Sequence, residues 1–444
     1  MCYVRRMRTF EQMGVKVPEI LLPKNMDVET WAVVACDQYT QDREYWENVK
    51  KSVSDKPSSL NVILPEVYLN DSDKEERIEK IQNTMRKYIE SGIFDSPESE
   101  MIYVERRTAY GRTRRGLVTS IDLETYEWKP FSTSLIRATE ATIVERIPPR
   151  MKIRDGAALE IPHIMLLVND EAHILVEGIG NLVKKDSPCY SGKLMQKSGE
   201  ISGWSVKSPE NLEKVRSALE TLFEKNTAPD GSTFLFAVGD GNHSLATAKA
   251  VWEEYKKIHP DADDTCPVRY ALVEIVNIYD EGLTFEPIHR VVFCKNPKKI
   301  IDGLANRLNG KLIEYETWEE LSKKVRTSNS DFGFTYTQNG TEKFFLLSTE
   351  IKELAVSCFQ PALDENLKIE KETDSSVELD YIHGENEVLR LGKKENALGI
   401  LLPPVQKESF FSTIAKSGPL PRKSFSMGEA DEKRFYLESR KLFS

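Results

Sequence analysis

The chain has 444 residues, 40% hydrophobic and 30% charged, which is the balance of a soluble globular protein too long for one ordinary core. Its formal net charge of −10 opposes general nucleic-acid binding, which needs a basic footprint. No apolar run approaches the roughly 20 residues of a membrane span, and the six scattered cysteines form no C-x-x-C pair, so free thiols in a reducing cytoplasm are expected rather than disulfides or a zinc site.

The opening "MCYVRRMRTFEQMG" is basic but lacks the apolar core of a secretory signal. Its first residues show no periodicity and are expected to pack loosely. "WAVVACDQYTQDREYWENVKKSV" reads as a short apolar strand, a polar loop over Asp37–Gln41 and a helix. "SDKEERIEKIQNTMRKYIES" is an amphipathic helix with Ile78, Ile81, Met85, Tyr88 and Ile89 on one stripe. "EMIYVERRTAYGRTRRGLVTSIDL" reads as a hairpin with its arginines on a solvated face.

The middle third alternates strand and helix: "PHIMLLVND" and "AHILVEGI", the helix "PENLEKVRSALETLFEKN", the strand "STFLFAV", a further helix, then "VRYALVEIVNIYD". This alternation predicts an α/β (α+β) fold with a mixed sheet and flanking helices. Farther on come the helix "TWEELSKKVRT" and a hairpin turning at Asn339-Gly340. The tail "EADEKRFYLESRKLF" reads as a charged C-terminal helix. Three regions are expected: 1–125 with the hairpin, 126–295 with a phosphate-binding loop, and 296–444.

The corner "AVGDGNHSLATAKAV" carries more chemistry than a turn needs. A strand ending in a glycine loop that opens a helix leaves unpaired, partly positive N–H groups, a ready anion site. Gly239 and Gly241 let backbone approach a ligand, and Asp240 offers a hard oxygen to Mg²⁺ arriving with phosphates. Asn242, His243 and Ser244 supply donors, and Ser244 also suits a helix cap. It is neither a Walker loop nor a complete dinucleotide fingerprint. An anion site and a plain corner with a capping serine both remain open on these grounds.

"AVGDGNHSLATAKAVWEE" resembles the "ADGHHR…A" element of the ParB/sulfiredoxin-like superfamily, where loop and helix start hold nucleotide phosphates. In order along the chain, "WAVVACDQYTQDREYW", "LIRATEATIVERIPPR", "LEIPHIMLLVND", "FEPIHRVV" and "LPRKSFSMGEADEKRFYLE" resemble the domain-of-unknown-function family 1015. The resemblance implies a nucleotide-binding core and relatedness to free serine kinases, which use a glutamate as base. Where the motif has arginine this chain has Ser244, so Arg290, Arg137 or Lys249 would have to replace a phosphate ligand.

Phosphoryl transfer asks for held phosphates, positive charge and a carboxylate to take a hydroxyl proton. Glu140, between Thr139 and Thr142, is the first candidate for that base, with Glu145 the near alternative; Asp240 completes the catalytic pair. Asp37, Gln38 and Tyr39, with Arg137, are candidates for the acceptor's head group. In "LPRKSFSMG", Arg422, Lys423 and Ser424 are a further candidate ligand loop. The expectation is a cytoplasmic small-molecule kinase using ATP or ADP and Mg²⁺, with free L-serine the first guess for acceptor. The rivals are a non-catalytic nucleotide-binding regulator and a phosphate-ester hydrolase using Asp240 and His243. Expected partners are a small-molecule substrate, not nucleic acid or membrane, with self-association left open.

Overall fold

A computed structural model describes residues 7–443, so the loosely packed start expected for the first residues lies outside the described ones. The fold is a mixed α/β one, as expected, in two compact units. The larger takes the chain up to Leu283 and again from Glu429; the second is Thr284–Gly428. The boundary expected at 125 is crossed by sheet pairing, because Tyr270–Asn277 lies against Thr113–Asp122. The one expected at 295 falls inside the second unit.

The larger unit is built on a ten-stranded sheet. At its centre Tyr270–Asn277, every residue of it buried, pairs antiparallel with Thr113–Asp122 and parallel with Met165–Val168. A strand buried on both faces needs a near-continuous apolar run, and "YALVEIVN" supplies one. On one side follow Met101–Thr108, Gly199–Val206 and Tyr190–Lys193, all antiparallel. On the other, Phe236–Asp240 pairs antiparallel with Met165–Val168 and parallel with Ile136–Ala138. The helices Lys74–Glu90, Pro209–Lys225 and Asn242–Ile258 pack apolar faces onto this sheet. No described helix is long and apolar enough to cross a membrane.

Four expectations are corrected. "WAVVA" is not a strand of the sheet: Val28–Trp31 is a short helical turn, and the buried residues after it run extended with a single bridge from Val34 to Phe435. "AHILVEGI" forms no strand; Val176–Val183 is a helix. The hairpin arginines do not share a solvated face, since Arg106 and Arg114 are buried. The tail is not a helix. After the short turn Ala430–Glu432 it runs extended through the interior, and every residue from Glu432 to Arg440 is buried.

These last two corrections have one cause. The Arg106 guanidinium donates to the carbonyls of Asp431, Glu432 and Lys433, and Arg114 donates to Glu432 O at 2.6 Å. Arg434 in turn pairs with Glu274 of the central strand and, at 2.5 Å, with Glu438. Burial pushes the Glu274 carboxyl up, but Arg434 and Arg114 outweigh it and hold the group below the usual carboxylate range. Burial, then the neighbouring Arg114, pushes Arg106 down to about 9.

The second unit has a six-stranded sheet whose neighbouring strands are all antiparallel, from Lys311–Tyr315 at one edge to Glu378–Ile382 at the other. The hairpin at Asn339-Gly340 forms as expected, both turn residues having positive φ. Phe332 stacks on Phe359 of the helix Ala355–Thr373, with ring centroids 4.4 Å apart, in the core.

Candidate functional site

The strand Phe236–Asp240 ends at Gly241, which has φ +78°, a conformation that favours glycine, and lies close against Ile164. The 17-residue helix Asn242–Ile258 begins at once. Gly241 is its N-cap residue and no side chain caps it. Ser244 is therefore not the cap that its type suggests. It lies inside the first turn, and its Oγ is 2.9 Å from His163 Nε2. An uncapped helix start directs its dipole and first N–H groups outward, which suits an anion.

Side chains from distant parts of the larger unit converge on this corner. Asp240 Oδ1 accepts from the Gly241 N–H at 2.9 Å, and its Oδ2 lies 3.4 Å from Lys433 Nζ. Asn242 Oδ1 accepts from Thr139 N–H at 3.3 Å, which puts the half-buried Glu140 next in chain to a residue bound to the corner. His243 Nε2 accepts from Ile143 N–H at 3.3 Å. Asp37 Oδ2 is 3.9 Å from His163 Nε2, and His163 Nδ1 is 2.8 Å from the Tyr436 hydroxyl. That hydroxyl also accepts from Cys36 N–H at 3.1 Å. Asp37, His163 and Ser244 are thus linked side chain to side chain, and Glu140 is brought near the loop as the neighbour of Thr139.

Other candidates are engaged elsewhere. Arg290 belongs to the second unit, fully buried, with Nε on Gln360 Oε1 at 2.9 Å and its guanidinium over the Tyr381 ring. Arg137, in the middle of the strand Ile136–Ala138, donates from Nε to Ser134 O at 2.9 Å. Lys249 donates to Leu123 O and pairs with Glu253. Gln38 turns its amide to Asp37 at 3.0 Å, and Tyr39, with φ +51°, stacks on Tyr45 at 3.7 Å. Burial, then Asp431, raises the Tyr39 hydroxyl to about 12. Asp42 caps the helix Arg43–Val53. Of the loop at 422–424, Arg422 and Lys423 are exposed and Ser424 is buried, its hydroxyl on Pro421 O. Burial, then Asp37 and Glu66, pushes the Cys36 thiol far above its ordinary value, so it is no ready nucleophile.

Sequence reasoning missed His163, Lys433 and Tyr436. His163 was in plain view before a strand, in "IPHIMLLV", but a single histidine there carries no spacing signal. Lys433 and Tyr436 were hidden by the helical look of the tail. Among the described residues no group of three or more His, Cys, Asp or Glu side chains is placed to hold a metal ion. Asp240 as a lone carboxylate fits Mg²⁺, which usually keeps its waters and binds through one or two carboxylates plus phosphates.

Beside the corner is a cavity of about 150 Å³ lined mainly by aliphatic side chains, with Ser244, Thr247, His163, Tyr436 and Cys36 in its wall.

A family model described as "Protein of unknown function (DUF1015)" matches residues 20–372. The chain belongs to that family. The match does not reach to the wider superfamily expected from the motif. No curated protein matches the chain. Solved structures similar to it include a conserved hypothetical protein from Pyrococcus furiosus, at 11% identity, covering 73% of this chain and 94% of that one with a TM-score of 0.35. A mutant free serine kinase in complex with AMP is 11% identical, over 73% and 92% of the two chains, with a TM-score of 0.38. SbnI from Staphylococcus aureus is 10% identical over 72% and 85%, with a TM-score of 0.34. Likenesses this loose carry no functional argument.

Proposed function

We propose that this protein is a cytoplasmic small-molecule kinase that moves a phosphate from a nucleotide, ATP or ADP, to the hydroxyl of a small metabolite. The observation that carries the reading is the meeting, at one uncapped helix start, of Asp240, the Lys433 ammonium and the Thr139–Glu140 segment. The helix start and Lys433 hold the phosphates, Asp240 takes Mg²⁺, and Glu140 accepts the hydroxyl proton. Lys433 supplies the positive charge for which the sequence offered Arg290, Arg137 or Lys249. A hydrolase is less well supported, because His243 Nε2 already accepts an amide proton from Ile143 and is not poised to orient water.

The test is incubation with ATP, Mg²⁺ and a metabolite mixture, followed by mass spectrometry for a phosphorylated product. Asp240→Ala should weaken nucleotide binding roughly tenfold to a hundredfold while the fold survives. Glu140→Gln keeps the shape of the side chain but cannot take a proton. Its nucleotide affinity should stay within a few-fold while turnover falls by about 10²–10⁴. Asp37→Asn should mainly raise the acceptor's KM. Nucleotide binding without any acceptor turnover would leave a regulator, and phosphate release without acceptor a hydrolase.

A further inference from the structure

We infer that the cavity beside Ser244 holds the body of the phosphate acceptor, and that the acceptor is therefore a hydroxy compound with a ring or branched hydrocarbon body rather than free serine. This deepens the kinase reading and rests on it. The cavity, at about 150 Å³, is of the size that takes benzene when its walls are apolar. Leu64, Met85, Ile153, Leu159, Ile164 and Leu442 form much of the wall.

The charged groups of the wall are already matched. Arg150 Nε donates to Glu66 at 3.0 Å, and Arg154 pairs with Glu160 at 2.5 Å. An amino acid placed here would set an ammonium and a carboxylate against aliphatic carbon with no free counter-charge, which is unfavourable. A whole nucleoside is larger than the cavity can enclose. A purine edge alone would need alternating donors and acceptors, whereas Arg154 Nε is the buried wall donor lacking a hydrogen-bond partner among the described residues.

Ser244 and Thr247, one helical turn apart, both line the cavity, while Ser244 also belongs to the first turn of the anion-binding helix. A body inside the cavity therefore reaches the phosphate site at Ser244, and its hydroxyl projects out of the cavity toward the helix start, where Glu140 follows Thr139 in the chain. In the step itself the acceptor oxygen bonds to the terminal phosphorus. The bond from that phosphorus to its bridging oxygen breaks, and the electron pair leaves with the nucleotide product. The hydroxyl proton passes to the base, Glu140.

The full chain should be titrated by calorimetry with benzyl alcohol, 3-methylbutan-1-ol and L-serine, then assayed with each under ATP and Mg²⁺. The alcohols should bind and be phosphorylated, and serine should do neither. Ala157→Leu fills part of the cavity and should weaken alcohol binding at least tenfold while leaving nucleotide affinity unchanged. Asp240→Ala should do the reverse, so loss of the nucleotide reading and loss of the cavity reading give different patterns. Should Ala157→Leu fail to fold, competition in the unaltered protein decides: displacement of benzyl alcohol by adenosine would make the cavity a nucleobase site and overturn the inference. Serine binding and phosphorylation with no alcohol binding would overturn it as well.

Discussion

The helix Asn242–Ile258 and the segment Glu429–Phe443 are both rich in helix-forming residues, yet one is a 17-residue helix and the other threads extended through the interior. The helix is specified locally. Gly241 starts it, an apolar stripe of Leu245, Ala248, Val251 and Trp252 packs it on the sheet, and its polar face is exposed or paired along its own length. The tail is specified from far away. Its Arg434, Glu438 and Arg440 find Glu274, Tyr190 and Glu160, each more than 150 residues distant in the chain. Tertiary ion pairs override local propensity here, and the difference teaches that a charged run is solvated only when no partner waits in the core.

The sharpest way to break the comparison is to remove the tail's central anchor. Arg434→Ala leaves Glu274 and Glu438 buried beside a lost partner, which typically destabilises by about 3–5 kcal/mol. Chemical denaturation should show a midpoint shift of that order. Lys257→Ala, which breaks the exposed Lys257–Glu254 pair on the helix, should barely move it. Equal effects of the two would mean that the tail's pairs are no more than surface ones.

The second test concerns what the tail gives the corner. Lys433→Met keeps the apolar stem and removes the ammonium 3.4 Å from Asp240. If Lys433 holds phosphate, nucleotide affinity should fall by roughly tenfold to a hundredfold, the range of a charge-assisted contact of about 1.5–3 kcal/mol. Calorimetry with ADP and Mg²⁺ measures this. Unchanged affinity in a folded variant would return Lys433 to a purely structural pairing with Asp240.

The same contrast explains how much was legible beforehand. The strand-to-helix corner, the amphipathic helices, both hairpins and the mixed α/β class follow from periodicity and turn residues, which act within a few positions. Asp37 and Asp240–Ser244 stand at the ends of apolar runs and Glu140 in a polar patch between two threonines; in the structure hydrogen bonds join Ser244 to His163 and Asn242 to Thr139. What failed depends on partners distant in sequence. Arg106 and Arg114 look solvated until the tail's carbonyls reach them, and Arg290 looks like a phosphate ligand until its guanidinium is found buried on Gln360 and over the Tyr381 ring. His163 and Tyr436 form their bond 273 residues apart, and no spacing rule announces it.

The smallest expected effect tests the helix's own side of the comparison. Glu124, in the short turn Leu123–Thr125 that follows the strand Thr113–Asp122, receives hydrogen bonds from Lys256 Nζ and Trp252 Nε1, both at 2.6 Å, and so pins the helix to the sheet. Burial works to raise its carboxyl, but the bonds from Lys256 and Trp252 and the charge of Lys249 outweigh it and bring it down to about 2 from an ordinary 4.5. A carboxyl that binds its proton less readily when folded stabilises the fold above its unfolded pKa, and the contribution is lost as pH falls through the folded one. The window is therefore about pH 4.5 down to about pH 2. Glu124→Gln cannot titrate there. In urea denaturation across a pH series, the stability gap between the unaltered protein and the variant should be constant above about pH 5 and shrink steadily toward pH 2. Subtracting the two curves cancels the other carboxylates. A gap that stays constant to the lowest pH would mean that Glu124 is not charged when it holds the helix.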